Sequence, residues 1–150
     1  MKGGKTRMKK SSDKTKIVIS LLRLGSFLYR TGNRIVKDYD LNQQQFIVLN
    51  EIVRNKVINQ QQLVAELLYE KSNTSKIVKK LKLLEYIEIK KSEDDGRITL
   101  LSCTDKGFRV WNECMEKYNS WNDEWLKSLS KTDISDTIRI LKNLEDIKGD

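Results

Sequence analysis

Apolar residues recur at a helical spacing through most of this chain, and a two-residue alternation occupies one short stretch. From about Thr15 to Tyr39, Ile17, Val18, Leu21, Leu24, Leu28, Ile35 and Val36 form one helical stripe, with Arg23, Arg30, Arg34 and Lys37 on the other faces. Tyr39-Asp40-Leu41 breaks it. Asn42 stands three residues before Gln45, and Asn59 three before Gln62. At that spacing the Asn side chain accepts from a backbone N–H while the Gln reaches back to the cap, so each Asn opens a helix. Phe46, Leu49, Ile52 and Val53 give the first of these helices its buried stripe, ending near Asn55; Leu63, Leu67 and Leu68 give the second its stripe, broken at Tyr69-Glu70.

A helix over about Lys71 to Leu84 points Thr74, Ile77, Val78, Leu81 and Leu84 inward and Ser72, Lys76 and Lys79 outward, with Asn73 and Ser75 near its amino end. Tyr86 to Lys90 alternates as a strand, and Arg97 to Ser102 is a β-prone return. Between them Ser92-Glu93-Asp94-Asp95-Gly96 supplies turn chemistry, with Gly96 free to take a positive φ. Thr104 then caps a long helix to about Leu129, whose Val110/Trp111, Cys114/Met115, Tyr118, Trp121 and Trp125 recur nearly as a heptad seam. A last stripe, Ile134, Ile138, Leu141, Leu144 and Ile147, starts at Ser130 or Thr132.

Charge modifies this picture at one end. Of the net charge of +8 over 150 residues, residues 1–16 carry +6, seven Lys or Arg against one Asp, which leaves the rest at +2. A pI of 9.4 therefore reflects the tail more than the body. Residues 1–14 are poor in large apolar side chains and are expected to be disordered, as a solubilising tail or an arm along a polyanion. The expected organisation is that tail followed by a single domain over 15–150.

The outward face of the helix from Lys71 is the candidate chemistry. Lys71, Lys76 and Lys79 can reach phosphates, or guanine O6 and N7, and Ser72, Asn73 and Ser75 can bond base edges, as an element lying in a DNA major groove would. A solvated surface helix shows the same pattern. The two-stranded loop that follows carries Arg97 at its tip, suited to a narrow, electronegative minor groove, and Asp94 or Asp95 can hold its guanidinium.

Helix, second helix and wing in this order, with Asp95-Gly96-Arg97 in the wing and Thr104-Asp105-Lys106-Gly107 after it, resemble the MarR family of bacterial winged helix-turn-helix regulators over about Lys16 to the end. The resemblance implies a mainly α protein with a small β-wing: a DNA-binding lobe at 41–102 flanked by dimerisation helices at 15–39 and 104–150. It also implies that Val57-Ile58 pairs against the wing. A sequence-specific regulator follows, a repressor acting as a homodimer on a pseudo-palindromic operator in double-stranded DNA, with release by a small aromatic or amphipathic effector. Arg23, Tyr29 and Trp111 are candidates to line an effector pocket, the competing reading being plain aromatic core. The two helical stripes after the wing exceed what one chain of this size can bury, which also points to a C2 dimer.

Catalysis has no residues to run on. There is no His in the chain, no Gly-rich phosphate loop and no Ser–Lys pairing. Two Cys without His do not close a zinc site, and no cofactor is expected. No apolar run approaches the roughly 18 residues of a membrane span, so a cytoplasmic protein with reduced thiols is expected. Cys114, sharing a stripe with Trp111, Met115 and Tyr118, reads as buried, whereas Cys103 beside Lys106 near a helix start sits in a mildly activating place. Two alternatives stay open: a thiol-based redox regulator, and a winged-helix module for protein contacts, favoured by the nearly neutral body and by Glu70 where an Asp, Ser or Thr cap is usual.

Overall fold

The computed structural model describes residues 3–4 and 7–146. It is mainly helical with one small sheet: α1 (Asp13–Val36), a 3-10 turn (Lys37–Tyr39), α2 (Gln43–Asn55), β1 (Val57–Asn59), α3 (Gln60–Leu67), α4 (Lys71–Leu83), β2 (Ile87–Lys91), β3 (Thr99–Cys103), α5 (Asp105–Trp125) and α6 (Lys131–Glu145). The chain forms two compact units, Met1–Asn112 and Glu113–Asp150.

In the first unit, α1 begins at Asp13, inside the segment expected to be disordered, because the Ser12 side chain accepts from Thr15 N and caps it. Both Asn caps form complete capping boxes: Asn42 with Gln45, and Asn59 with Gln62. The core gathers Val36, Phe46, Val48, Leu49, Ile52, Ile58, Leu63, Ile77, Val78, Leu81, Ile87 and Leu101, all at or below 4% exposure. Thr74 is buried with them, and its hydroxyl donates to Glu70 O at 3.2 Å. Leu68 departs from the expected stripe. It ends α3 in the left-handed conformation at φ 55° and is 60% exposed, because the chain must reverse there to launch α4.

The sheet has the order β1-β3-β2, both pairs antiparallel, with Ile58 opposite Leu101 and Ile89 opposite Leu101 on the other side. The wing is therefore anchored through β1 to the start of α3. Thr104 caps α5, its Oγ1 accepting from Gly107 N at 3.0 Å and donating to Glu85 O at 2.6 Å. Gly107 lies so close to the Tyr86 backbone that a Cβ there would stand 2.0 Å from Tyr86 O.

In the second unit, α5 ends at Trp125 rather than near Leu129; a turn over 126–128 follows, with Leu129 N bonding Leu126 O at 3.0 Å. Trp121 and Trp125 stack at 4.9 Å. Ser130 caps α6 in a capping box with Asp133, whose carboxyl those bonds hold below its ordinary value. Ile134, Ile138, Leu141 and Leu144 on α6 are each 40% exposed or more; Ile147, the last of the expected stripe, lies outside the described residues.

Candidate nucleic-acid interface

The candidate site is built on α4 and the wing. Burial of Thr74, Ile77, Val78 and Leu81 fixes the rotation of α4, and that leaves Lys71, Ser72, Lys76 and Lys79 exposed on its far side. Asn73 and Ser75 are half-buried at the shoulders. Ser75 is not free: its Oγ accepts a 2.7 Å bond from Gln60 Nε2 on α3. Lys80 turns back to Asp40 Oδ2 at 3.0 Å and so braces α4 against the end of the 3-10 turn. At the same junction the Tyr86 hydroxyl donates to Tyr39 O at 2.8 Å. Glu70 precedes α4 without a side-chain cap. Burial, with Tyr29 nearby, raises the pKa of Tyr69 in the turn between α3 and α4.

In the wing, Asp95 does the organising. Its Oδ1 accepts from Arg97 N at 3.0 Å and lies 3.4 Å from Arg97 Nε, while its carbonyl accepts from Ile98 N at 2.9 Å. Those contacts to Arg97 come from Asp95 and not from Asp94. Gly96 does not take the expected positive φ; among the described residues no glycine does. The Asp95 side chain closes the turn, so no left-handed residue is required. The Arg97 side chain is 93% exposed, so its pair with Asp95 aims the guanidinium without burying it.

Sequence reasoning used Asn59 and Gln62 as a cap and passed over the two glutamines between them. Gln60 and Gln61 line a 140 Å³ cavity with Asn59, Arg97, Ile98 and Thr99, and a second of 380 Å³ with Val64 and Lys71. They stand between wing and α4. Their position as the first two residues of the helix after the Asn59 cap was the signal available in the sequence.

The proposed effector residues are not gathered. Tyr29 lines an open groove of 590 Å³ on α1 with Leu21, Leu22, Gly25, Ser26 and Arg30, and Arg23 and Trp111 are not among its lining. The Trp111 indole instead donates to Asn50 Oδ1 at 3.0 Å.

Neither thiol is activated. Burial pushes Cys103 up to about 11, and Asp105 adds to the effect where Lys106 was expected to oppose it. Burial likewise raises Cys114 to about 11, with Lys117 opposing and Glu113 adding to the effect. The folded state thus holds both thiols neutral while unfolded thiols ionise near 9.0. Their stabilisation is complete below that pH and lost as pH rises towards 11. In denaturant titrations, replacing both with Ala should flatten the fall of stability between about pH 9 and 10. A slope unchanged by the substitutions contradicts neutral burial.

An amphipathic helix docked on a capped partner helix and followed by a braced two-stranded wing defines a winged helix-turn-helix. The MarR family model matches residues 39–98, the segment from the 3-10 turn to the wing tip. The chain is 25% identical over 115 residues to the HTH-type transcriptional regulator BilQ of Clostridioides difficile, covering 77% of this chain and 78% of that one. It is 26% identical over 110 residues to the regulator MgrA of Staphylococcus aureus, covering 73% and 74%. A MarR protein from Peptoclostridium difficile superposes with TM-score 0.81 at 23% identity, over 94% and 95% of the two chains. NadR in complex with 4-hydroxyphenylacetate superposes at 0.83 with 19% identity, over 94% and 100%. A mutant MarR from E. coli complexed with operator DNA gives 0.68 at 22% identity, over 89% and 99%. The matched segment, 60 of the 150 residues, is similar to the MarR family. The fold is that of a winged helix-turn-helix, and the relatives that match are named transcriptional regulators.

Proposed function

We propose that the protein is a repressor that binds a pseudo-palindromic operator as a cytoplasmic homodimer, with half-sites about one helical turn apart. The observation that carries this reading is the exposed row of Ser72, Lys76 and Lys79 on a helix whose opposite face is locked in the core, with Arg97 held out beside it. In this reading α4 enters the major groove. Lys71, Ser72, Asn73, Ser75 and Lys76 meet base edges or adjacent phosphates, Lys79 grips phosphate, and Arg97 occupies the minor groove. The operator complex of the E. coli relative supports the class of partner. Unpartnered apolar residues on α1, among them Ile17, Leu21, Leu24 and Leu28, support a second copy as the other partner. The NadR complex supports an aromatic effector, for which the groove beside Tyr29 is the place to look. Among the described residues no helix is long and apolar enough to cross a membrane.

The test is fluorescence anisotropy at several salt concentrations, with duplexes selected by the protein and scrambled controls. A chain shortened by residues 1–10 keeps the Ser12 cap while removing most of the basic tail, so non-specific attraction by the tail does not mask the result. Selected DNA should bind more tightly than scrambled, with affinity falling steeply as salt rises. Arg97→Ala should weaken binding by about 1–3 kcal/mol, the scale of one good groove contact. An unchanged affinity removes the wing from the interface. Equal weak binding to both duplexes, with little salt dependence, favours a protein-contact module, the reading that the +2 body would suit.

A further inference from the structure

We propose that Gln60 is a positioning residue that fixes Ser75 as a hydrogen-bond donor towards DNA, so that this position of α4 selects an acceptor on a base edge. The inference rests on the DNA-binding reading and adds to it which group reads and with what polarity. A serine hydroxyl has one proton and two lone pairs. In this structure Gln60 Nε2 donates to Ser75 Oγ at 2.7 Å and occupies one lone pair. No other hydrogen bond engages Ser75 among the described residues. Its proton cannot turn to the Gln60 amide N–H, so it is directed to a third group. A hydroxyl that accepts one bond is also polarised into a better donor.

The arrangement is held from both sides. Gln60 is the first residue of α3, immediately after the Asn59 capping box, and Ser75 lies one position after buried Thr74 on α4. Gln60 also lines the cavities shared with Arg97 and with Lys71, so the pair sits between the wing and the start of α4. A donor in the major groove finds N7 of either purine, O6 of guanine or O4 of thymine; it gains nothing from the amino group of cytosine.

The experiment is selection of full-length protein against a random duplex pool, followed by competition with single-base variants of the selected site. The wild type should show one half-site position at which cytosine is disfavoured about tenfold, and removing the contacted acceptor, by 7-deaza substitution where it is a purine N7, should erase that preference. Ser75→Ala should lose the same preference. Gln60→Glu keeps the shape but presents only acceptors, so the Ser75 proton turns to it and the preference disappears, although phosphate contacts elsewhere persist. Gln60→Ala should weaken the preference without abolishing it, and it serves if the Glu variant folds poorly. Adding Gln60→Glu to Ser75→Ala should change the base preference no further, a dependence that a merely structural role for Gln60 would not produce. A Gln60→Glu or Gln60→Ala protein with the wild-type preference overturns the proposal while leaving DNA binding intact. A wild type that selects no sequence overturns the DNA-binding reading and the proposal together.

Discussion

Gly107→Ala should destabilise the protein by about 3 kcal/mol or more, at or beyond the upper end of ordinary overpacking. An alanine in place of glycine in an open helix normally stabilises by up to about 1 kcal/mol. Here the sign reverses, because the new Cβ would stand 2.0 Å from Tyr86 O, 2.8 Å from its carbonyl carbon and 2.9 Å from its Cα. These are backbone atoms with no rotamer into which to retreat. Tyr86 is tied on every side: its N bonds Leu81 O at 3.0 Å, its carbonyl accepts from Thr104 N at 3.1 Å, and its hydroxyl reaches Tyr39 O at 2.8 Å. Relief of the clash therefore moves α5 away from the strand start or breaks the Thr104 cap, and either loosens β2 and the wing it begins. Urea unfolding of the variant measures the loss. A variant as stable as the parent shows that α5 shifts at no cost and that the close approach is not required.

The same junction shows what a sequence can and cannot reveal. Thr104 was legible as a cap, and Asn42 and Asn59 with their glutamines were legible as helix starts, because both partners of each bond lie three residues apart. The buried face of α4 was legible for a related reason: one helix's period decides which of its residues share a side. Contacts that depend on how elements pack were not legible. Gln60 and Ser75 are 15 residues apart, Lys80 and Asp40 are 40 apart, and Trp111 and Asn50 are 61 apart. The first engages a hydroxyl that the sequence alone offered for DNA, and the last an indole that it offered for an effector. Trp111 illustrates the result, since its indole N–H is satisfied by Asn50 rather than exposed to a ligand. Within the wing the choice between Asp94 and Asp95 was open for a subtler reason: adjacent carboxylates project differently, and only the turn geometry selects the one that reaches Arg97.

Leu21→Glu combined with Leu28→Glu should convert the proposed dimer to a monomer and lower affinity for a palindromic operator by about 100-fold or more. Both leucines lie on α1, 41% and 37% exposed, in a row with Leu24 at 43% and Ile17 at 55%. An apolar row of this extent on one helix marks an association surface. Burying a carboxylate in such a surface costs several kcal/mol unless it is paired. The fold of each chain should survive, because the first unit's core is built from α2, α3, α4 and the sheet, and α1 contributes to it chiefly at its end, through Val36. The effect on DNA follows from tethering. In a dimer, the second half-site contact is made at the effective concentration set by the first, an advantage that a monomer lacks. Sedimentation equilibrium and anisotropy on the same preparations separate the two effects, with circular dichroism confirming retained helix. A variant that remains dimeric places the interface elsewhere. A monomer that keeps full affinity for the palindrome would show that each lobe binds independently, and the operator would then need no two-fold symmetry.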